Sequence, residues 1–283
     1  MHFGRRPRQL EQHSRIERTC GVSIILRCAL AAFSIGIAAA GCAQPTKGPT
    51  VIYLEGAGWY TSGGGVEAGL RDAGYTGEFS RFTWTSFLGP AHDHFVNARS
   101  RGIARRLARR IEAQRRKEPD APIHVMGLSA GTSLVLMALP MLPEDIQVDS
   151  VVLFSPSVSS EHNLTEAMKH VRRNLYATSS PYDGILAGLP VNADGKGGAP
   201  AGRYGFRMPP RAKESTLMAY SRVINLPWNP SYLAYGWNGS HTGVTNRRFV
   251  KAVIAPRILT NEPFPLDRSI LDRAAASPSG GPR

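Results

Sequence analysis

Beyond residue 50 the chain alternates short apolar runs with longer stretches in which apolar positions recur every three or four residues. The short runs, bounded by Gly, Pro, Asp or Ser, read as buried strands, and the longer periodic stretches read as helices. Strands are expected at Val51–Glu55, Glu78–Thr83, Ile123–Met126, Ser150–Phe154, Asn174–Ser179 and around Arg222–Leu226. Between them, helices are expected at Val66–Ala73, at His94–Arg116 with Ile103, Leu107 and Ile111 in one stripe, after Ser129, at Glu161–Arg173 and at Asn246–Leu259. Strands that alternate with helices predict an α/β domain over residues 50–260, a three-layer sandwich with a mostly parallel sheet of about six strands. The stretch Pro190–Pro210 is rich in Gly and Pro without apolar periodicity, so a loop or lid is expected there. The tail, residues 261–283, ends in Ser-Pro-Ser-Gly-Gly-Pro-Arg and is expected to be partly disordered.

The first 41 residues follow another pattern. Residues 1–27 are basic and polar, Cys28–Ala40 is an unbroken apolar run, and Gly41-Cys42 follows. A charged segment, a short apolar core and small residues at a cleavage point make a secretory signal. Ala39-Ala40-Gly41-Cys42 resembles a bacterial lipoprotein box, which implies an acylated Cys42, an exported protein and a membrane anchor. Ala39 departs from the large aliphatic residue usual there. Ordinary signal cleavage and an uncleaved anchor are the alternatives, the latter disfavoured because Arg27 interrupts a run already too short to span a bilayer. From Cys42 a linker of residues 42–49, with Pro45 and Pro49, would hold the domain within about 25 Å of the anchor.

Composition changes the picture in two ways. All three cysteines (Cys20, Cys28, Cys42) lie in the first 42 residues, so nothing later can form a disulfide or a cysteine metal site. The formal net charge is +13, and the helix expected at His94–Arg116 carries much of it on Arg99, Arg101, Arg105, Arg106, Arg109, Arg110, Arg115 and Arg116, followed by Lys117. A solvated helix face is one reading of that run, and a surface for acidic lipid or polymer is the other. Nucleic acid is not an expected partner, because no aromatic residues interleave with the arginines.

The candidate chemistry begins at Ile123-His124-Val125-Met126-Gly127-Leu128-Ser129-Ala130-Gly131, a strand, a tight turn with a serine at its apex, and a helix start. Small flanking residues suit a strained turn where helix and strand approach closely, and the N–H of Ala130 at a helix start can receive an oxyanion. This arrangement resembles the α/β-hydrolase family. The resemblance covers roughly Thr50–Ile258 and implies the chain order serine, acid, histidine, with Ser129 as nucleophile and no metal or organic cofactor. Asp183 in Pro181-Tyr182-Asp183-Gly184 then matches the family's acid, with Glu161 and Asp194 as alternatives, and His241 in Gly239-Ser240-His241-Thr242-Gly243 matches its base. The loop Glu55-Gly56-Ala57-Gly58-Trp59 would supply the second oxyanion donor, Ala57 first and Gly58 next. Glu55 stands where many members of the family have histidine. The mature chain also lacks the two strands that commonly precede that loop.

Other residues compete less well. His124 is expected to point into packing, and His162 and His170 to belong to a helical region. His92-Asp93-His94 could hold a metal, but no further ligand cluster supports one. Trp59, Trp84, Trp228 and Trp237 all fall near expected strand ends, where they could wall an apolar acyl pocket or touch lipid headgroups. The resulting expectation is an envelope serine hydrolase of small-molecule or lipid-like carboxylic esters or thioesters. The rival is an inactive fold that binds the membrane or envelope surface through its basic charge.

Overall fold

The computed structural model describes residues 48–58, 61–85 and 97–260. The leader, Cys42 and most of its linker, Trp59, His92-Asp93-His94 and the tail lie outside the described residues. Six strands, β1 (Thr50–Leu54), β2 (Glu78–Arg81), β3 (Ile123–Leu128), β4 (Ser150–Phe154), β5 (Leu175–Ser179) and β6 (Val223–Pro227), form one sheet in the order β2-β1-β3-β4-β5-β6. Every neighbouring pair is parallel. β1, β3, β4 and β5 are buried at every position, which is why they read as apolar runs, whereas edge strand β2 is polar at three of its four positions and largely accessible. From β1, next to the edge, the described chain steps outward to β2 and then returns past β1 to β3. The C-terminal edge between β1 and β3 is therefore a topological switch point, where connections diverge and leave a crevice.

The helices are α1 (Ser62–Asp72), α2 (Asn97–Lys117), α3 (Ala130–Ala138), α4 (Thr165–Lys169), α5 (Gly184–Ala187), α6 (Ala201–Tyr204) and α7 (Glu214–Tyr220). A closing helical segment runs through Arg247–Phe249, a π-helical turn at Val250–Ile254, and Ala255–Leu259. Two apolar cores result, one on each side of the sheet. Ile52, Leu54, Val125, Val151 and Leu175 pack with Leu107 and Ile111 of α2 and Leu134 of α3. Val51, Tyr53, Met126, Phe154 and Tyr176 pack with Val66 and Leu70 of α1 and with Phe249 and Ile254.

Two expectations need correcting. Helix α1 begins at Ser62, four residues before Val66, because the Glu55 carboxylate accepts the N–H of Gly63 at 2.9 Å and caps a glycine-rich turn. Gly65 is needed there, since a Cβ on it would stand 2.4 Å from the carbonyl oxygen of Thr245. The helix expected at Glu161–Arg173 shrinks to α4, because Ser155 has a positive φ of 43° and the segment after it is tied down by side chains. Asp194 receives the N–H of Ser159 at 3.3 Å and contacts His162 Nδ1 at 2.9 Å. The Pro190–Pro210 stretch is irregular apart from α6, yet it is fastened to the sheet edge. Ala193, Ala201 and Gly202 donate to the carbonyls of Ser157, Val158 and Pro156, each at 2.7 Å, and Phe206 is buried.

Candidate active site

Strand β3 passes into α3 through Ser129, whose backbone sits at φ 52°, ψ −124°. A non-glycine residue holds such a conformation only where its surroundings enforce it. Here the N–H of Ser129 donates to Phe154 O at 2.9 Å, and its carbonyl accepts the N–H of Thr132 at 2.9 Å. The flanking glycines are explained by contact. A Cβ on Gly127 would lie 3.1 Å from the backbone of Gly131, and one on Gly131 would lie 2.4 Å from Glu55 O. The second figure also places the loop after β1 directly against the first turn of α3. A serine turn on the central strand thus stands at the switch point of a parallel six-stranded sheet covered on both faces. The fold is that of the α/β-hydrolases.

Asp183 and His241 come together in the structure. Asp183 follows β5, is fully buried and caps α5, with Oδ1 accepting the N–H of Leu186 at 3.0 Å. Its other oxygen, Oδ2, lies 2.7 Å from His241 Nδ1. His241 is itself buried, and its Nε2 has no hydrogen-bond partner among the described residues. A carboxylate on Nδ1 fixes the proton there and leaves Nε2 as an acceptor. The backbone of His241 is tied to the same edge as Ser129, because Ser155 Oγ donates to His241 O at 3.2 Å and Ser155 follows Phe154, the residue that holds the serine N–H. Among the described residues no hydrogen bond joins the Ser129 hydroxyl to His241. Such bonds are often long before substrate binds and tighten in the complex.

The loop that carries His241 rests on aromatic packing. Trp237 is fully buried, its ring lies 4.8 Å from Phe249 and 5.6 Å from Tyr232, and its indole N–H donates to Ser240 O at 3.1 Å. Trp228 donates in turn to Trp237 O at 3.0 Å. On the other side, Trp84 is buried and donates to Glu55 O at 2.9 Å. Trp84 and Trp237 are buried, and each indole N–H holds the carbonyl of a loop residue, Glu55 and Ser240.

Ala57 is buried and Gly58 takes a φ of 67°, as a loop turning back toward α1 requires. Among the described residues no acceptor meets the N–H groups of Ala57, Gly58 or Ala130. Glu55, in the place of the family's usual histidine, is buried and turns away to the start of α1, bonded to Gly63 N–H and to the Ser62 hydroxyl. The Ser62 hydroxyl also meets the Tyr53 hydroxyl at 2.6 Å. Burial, with the nearby Glu55 carboxylate, holds that phenol far above its ordinary range.

The remaining candidates have other employment. Asp194 pairs with His162 and not with His241, and Glu161 is exposed. His170 contacts Ile146 O at 2.9 Å. His124 is buried in β3 with Nδ1 unpartnered. No group of three or more His, Cys, Asp or Glu among the described residues could hold a metal ion. On α2 the arginine run divides. Arg101, Arg105, Arg106, Arg109, Arg110, Arg116 and Lys117 are exposed as expected, but Arg115 is buried against Asp149 at 2.8 Å. The pattern hid that pair, since the partner lies 34 residues away.

No family model and no curated protein sequence matches the chain. Among solved structures it is similar to a predicted CIB-like hydrolase from Thermoplasma acidophilum, at 12% identity over 77% of this chain and 89% of that one, with a TM-score of 0.43. A cutinase-like protein from Cryptococcus sp. is similar at 12% identity over 77% and 96%, with a TM-score of 0.39. Aspergillus fumigatus lipase B is similar at 13% identity over 84% and 58%, with a TM-score of 0.48.

Proposed function

We propose that the protein is a serine hydrolase of carboxylic esters or thioesters. The observation that carries this reading is the buried Asp183–His241 contact of 2.7 Å, with an unpartnered Nε2 at the sheet edge that also holds the strained Ser129. In this mechanism Ser129 Oγ attacks the carbonyl carbon while His241 Nε2 takes its proton. Asp183 keeps the imidazole oriented and stabilises its charged form. The N–H groups of Ala130 and Ala57, with Gly58 behind them, hold the oxyanion. The proton then passes from His241 to the departing group, and water later releases the acyl chain by the reverse sequence.

The leader reading belongs to the same proposal: export, acylation at Cys42 and residence at a membrane of the cell envelope. Growth of the full chain with labelled palmitate, against Cys42→Ala, tests that part; equal labelling of both removes the anchor. For the chemistry, Ser129→Ala should lower kcat on p-nitrophenyl esters by about 10⁶-fold. Turnover equal to wild type would sink the mechanism. The exposed arginines of α2 favour a second reading, a non-catalytic protein bound to an anionic surface. A fluorophosphonate probe separates the two, because only an activated serine becomes labelled.

A further inference from the structure

Strand β4 ends in a buried residue that the proposed acyl transfer does not use. Ser155 has a φ of 43°, and only Ser129 and Arg211 share a positive φ with it among the described non-glycine residues. It also precedes Pro156, and a residue before proline is pushed toward extended backbone, so its conformation is disfavoured twice over. Glycine would take that conformation at no steric cost. Serine differs from glycine there only by its hydroxymethyl group, so that group carries the reason for the strain.

The hydroxyl makes one hydrogen bond among the described residues, to His241 O at 3.2 Å, and that carbonyl receives no other donor among them. The main chain at Ser155 is tied to the other two members of the triad. Phe154 O, immediately before it, holds the N–H of Ser129 at 2.9 Å. The N–H of Ser155 donates to Thr178 Oγ1 at 2.9 Å, and Thr178 lies on β5, the strand that leads to Asp183. The serine turn, the strand of the acid and the main chain of the base are thus joined at one strained position.

A carboxylate on Nδ1 is a single point of attachment, about which an imidazole can still tilt. Where Nε2 lies relative to Ser129 Oγ depends on the main chain that carries the ring. Trp237 holds the preceding carbonyl, that of Ser240, from the aromatic cluster, whereas Ser155 holds the carbonyl of His241 itself from the sheet. We propose that Ser155 is a positioning residue for the acyl transfer, its hydroxyl fixing the main chain of His241 so that the ring reaches Ser129. The backbone strain persists because glycine, which would relieve it, has no hydroxyl. This inference rests on the hydrolase reading.

Two variants separate the hydroxyl from the strain. Ser155→Ala and Ser155→Gly both lose the bond to His241 O, but only glycine relieves the positive φ. With the purified full chain on p-nitrophenyl acetate, kcat should fall by about 10- to 100-fold in both, the loss expected of a misplacement of about 1 Å. KM should stay within about 2-fold of wild type, and fluorophosphonate labelling of Ser129 should slow in proportion to kcat. The acid limb of the kcat/KM profile should keep its wild-type pH, because the Asp183–His241 contact is untouched. Ser155→Gly should nevertheless melt at a higher temperature than Ser155→Ala, whereas a role in folding alone would make activity follow stability. Wild-type kcat in Ser155→Gly, or an activity loss in Ser155→Ala that glycine restores, overturns the positioning role, and a labelled Ser129 then leaves the hydrolase standing. A wild-type chain in which Ser129 is not labelled overturns both.

Discussion

The two ends of the sheet carry two buried carboxylate contacts of opposite character. At the N-terminal end the guanidinium of Arg115 makes five hydrogen bonds, to Asp149, to the carbonyls of Pro119 and Ala121, and twice to that of Gln147. Asp149 adds the N–H of Ile123 at 2.8 Å and Arg172 at 3.4 Å. Every donor of that guanidinium is committed, and nothing is left to act on a ligand. At the C-terminal end the Asp183–His241 pair is as deeply buried, yet Nε2 is unpartnered and the serine beside the same edge is held at positive φ. A saturated pair is a clamp. A pair with one atom to spare, where the backbone is also strained, is where chemistry can be done.

The sharpest way to break this contrast is Asp183→Asn. The amide can still accept the N–H of Leu186, so the cap on α5 survives and the melting temperature should stay near wild type. It cannot hold the imidazole in the tautomer that leaves Nε2 free, so kcat should fall about 10⁴-fold. Activity within 10-fold of wild type would make Asp183–His241 a second clamp.

Arg115→Met probes the other end. Removing one partner leaves Asp149 buried and uncompensated, and such losses cost about 3–5 kcal/mol of stability. Urea unfolding should show a shift of that order, with kcat per fluorophosphonate-titrated site unchanged. An unaltered unfolding midpoint would mean that the pair contributes nothing to the fold.

A third measurement sets two buried histidines against each other. Both His124 and His241 have an unpartnered ring nitrogen, but only His241 has a carboxylate on the other. Burial drives His124 toward its neutral form, with Arg173 and Arg115 adding to the effect and Asp149 opposing it, and its pKa falls to about 4. Since the unfolded chain binds this proton near pH 6.5, the native state binds fewer protons between those values. Stability should therefore fall by roughly 3 kcal/mol as pH drops from 6.5 to 4, with no further loss from this group below that. In His124→Leu that slope should flatten; an unchanged slope would assign the acid sensitivity to other groups.

What was legible in the sequence was whatever depends on neighbours in sequence. The apolar runs located all six strands to within about two residues, because four of the strands are buried on both faces. The Gly127-Leu128-Ser129-Ala130-Gly131 turn was legible because each glycine answers a close backbone approach. Asp183 and His241 were singled out by the place that the resemblance gives the acid and the histidine, after β5 and β6, and not by periodicity. What escaped notice depends on distant partners. Arg115 looks like its neighbours until Asp149 meets it, and the tryptophans look like pocket walls until Glu55 O and Ser240 O claim their N–H groups. Helix α7 was missed altogether: only Thr216, Ala219 and Tyr220 are buried along it, too little apolar period to read.

Glu55 belongs to both ends of the contrast, and the smallest effect expected here decides which one claims it. It stands on the loop proposed to hold the oxyanion, beside the serine turn, so a direct role in the reaction is open to it by position. Its carboxylate, however, is spent on Gly63 N–H and the Ser62 hydroxyl, while its backbone is held by the Trp84 indole and pressed against Gly131. The side chain therefore caps α1, and the backbone positions the loop independently of it. Glu55→Ala should cost about 1 kcal/mol of stability, the usual value of a lost helix cap, and lower kcat/KM by less than about 10-fold. A loss near that of Asp183→Asn would show instead that this carboxylate takes part in the chemistry. Trp84→Phe then completes the argument: deleting the indole donor leaves the cap intact but frees Glu55 O, so it should lower kcat more than Glu55→Ala does while costing α1 nothing.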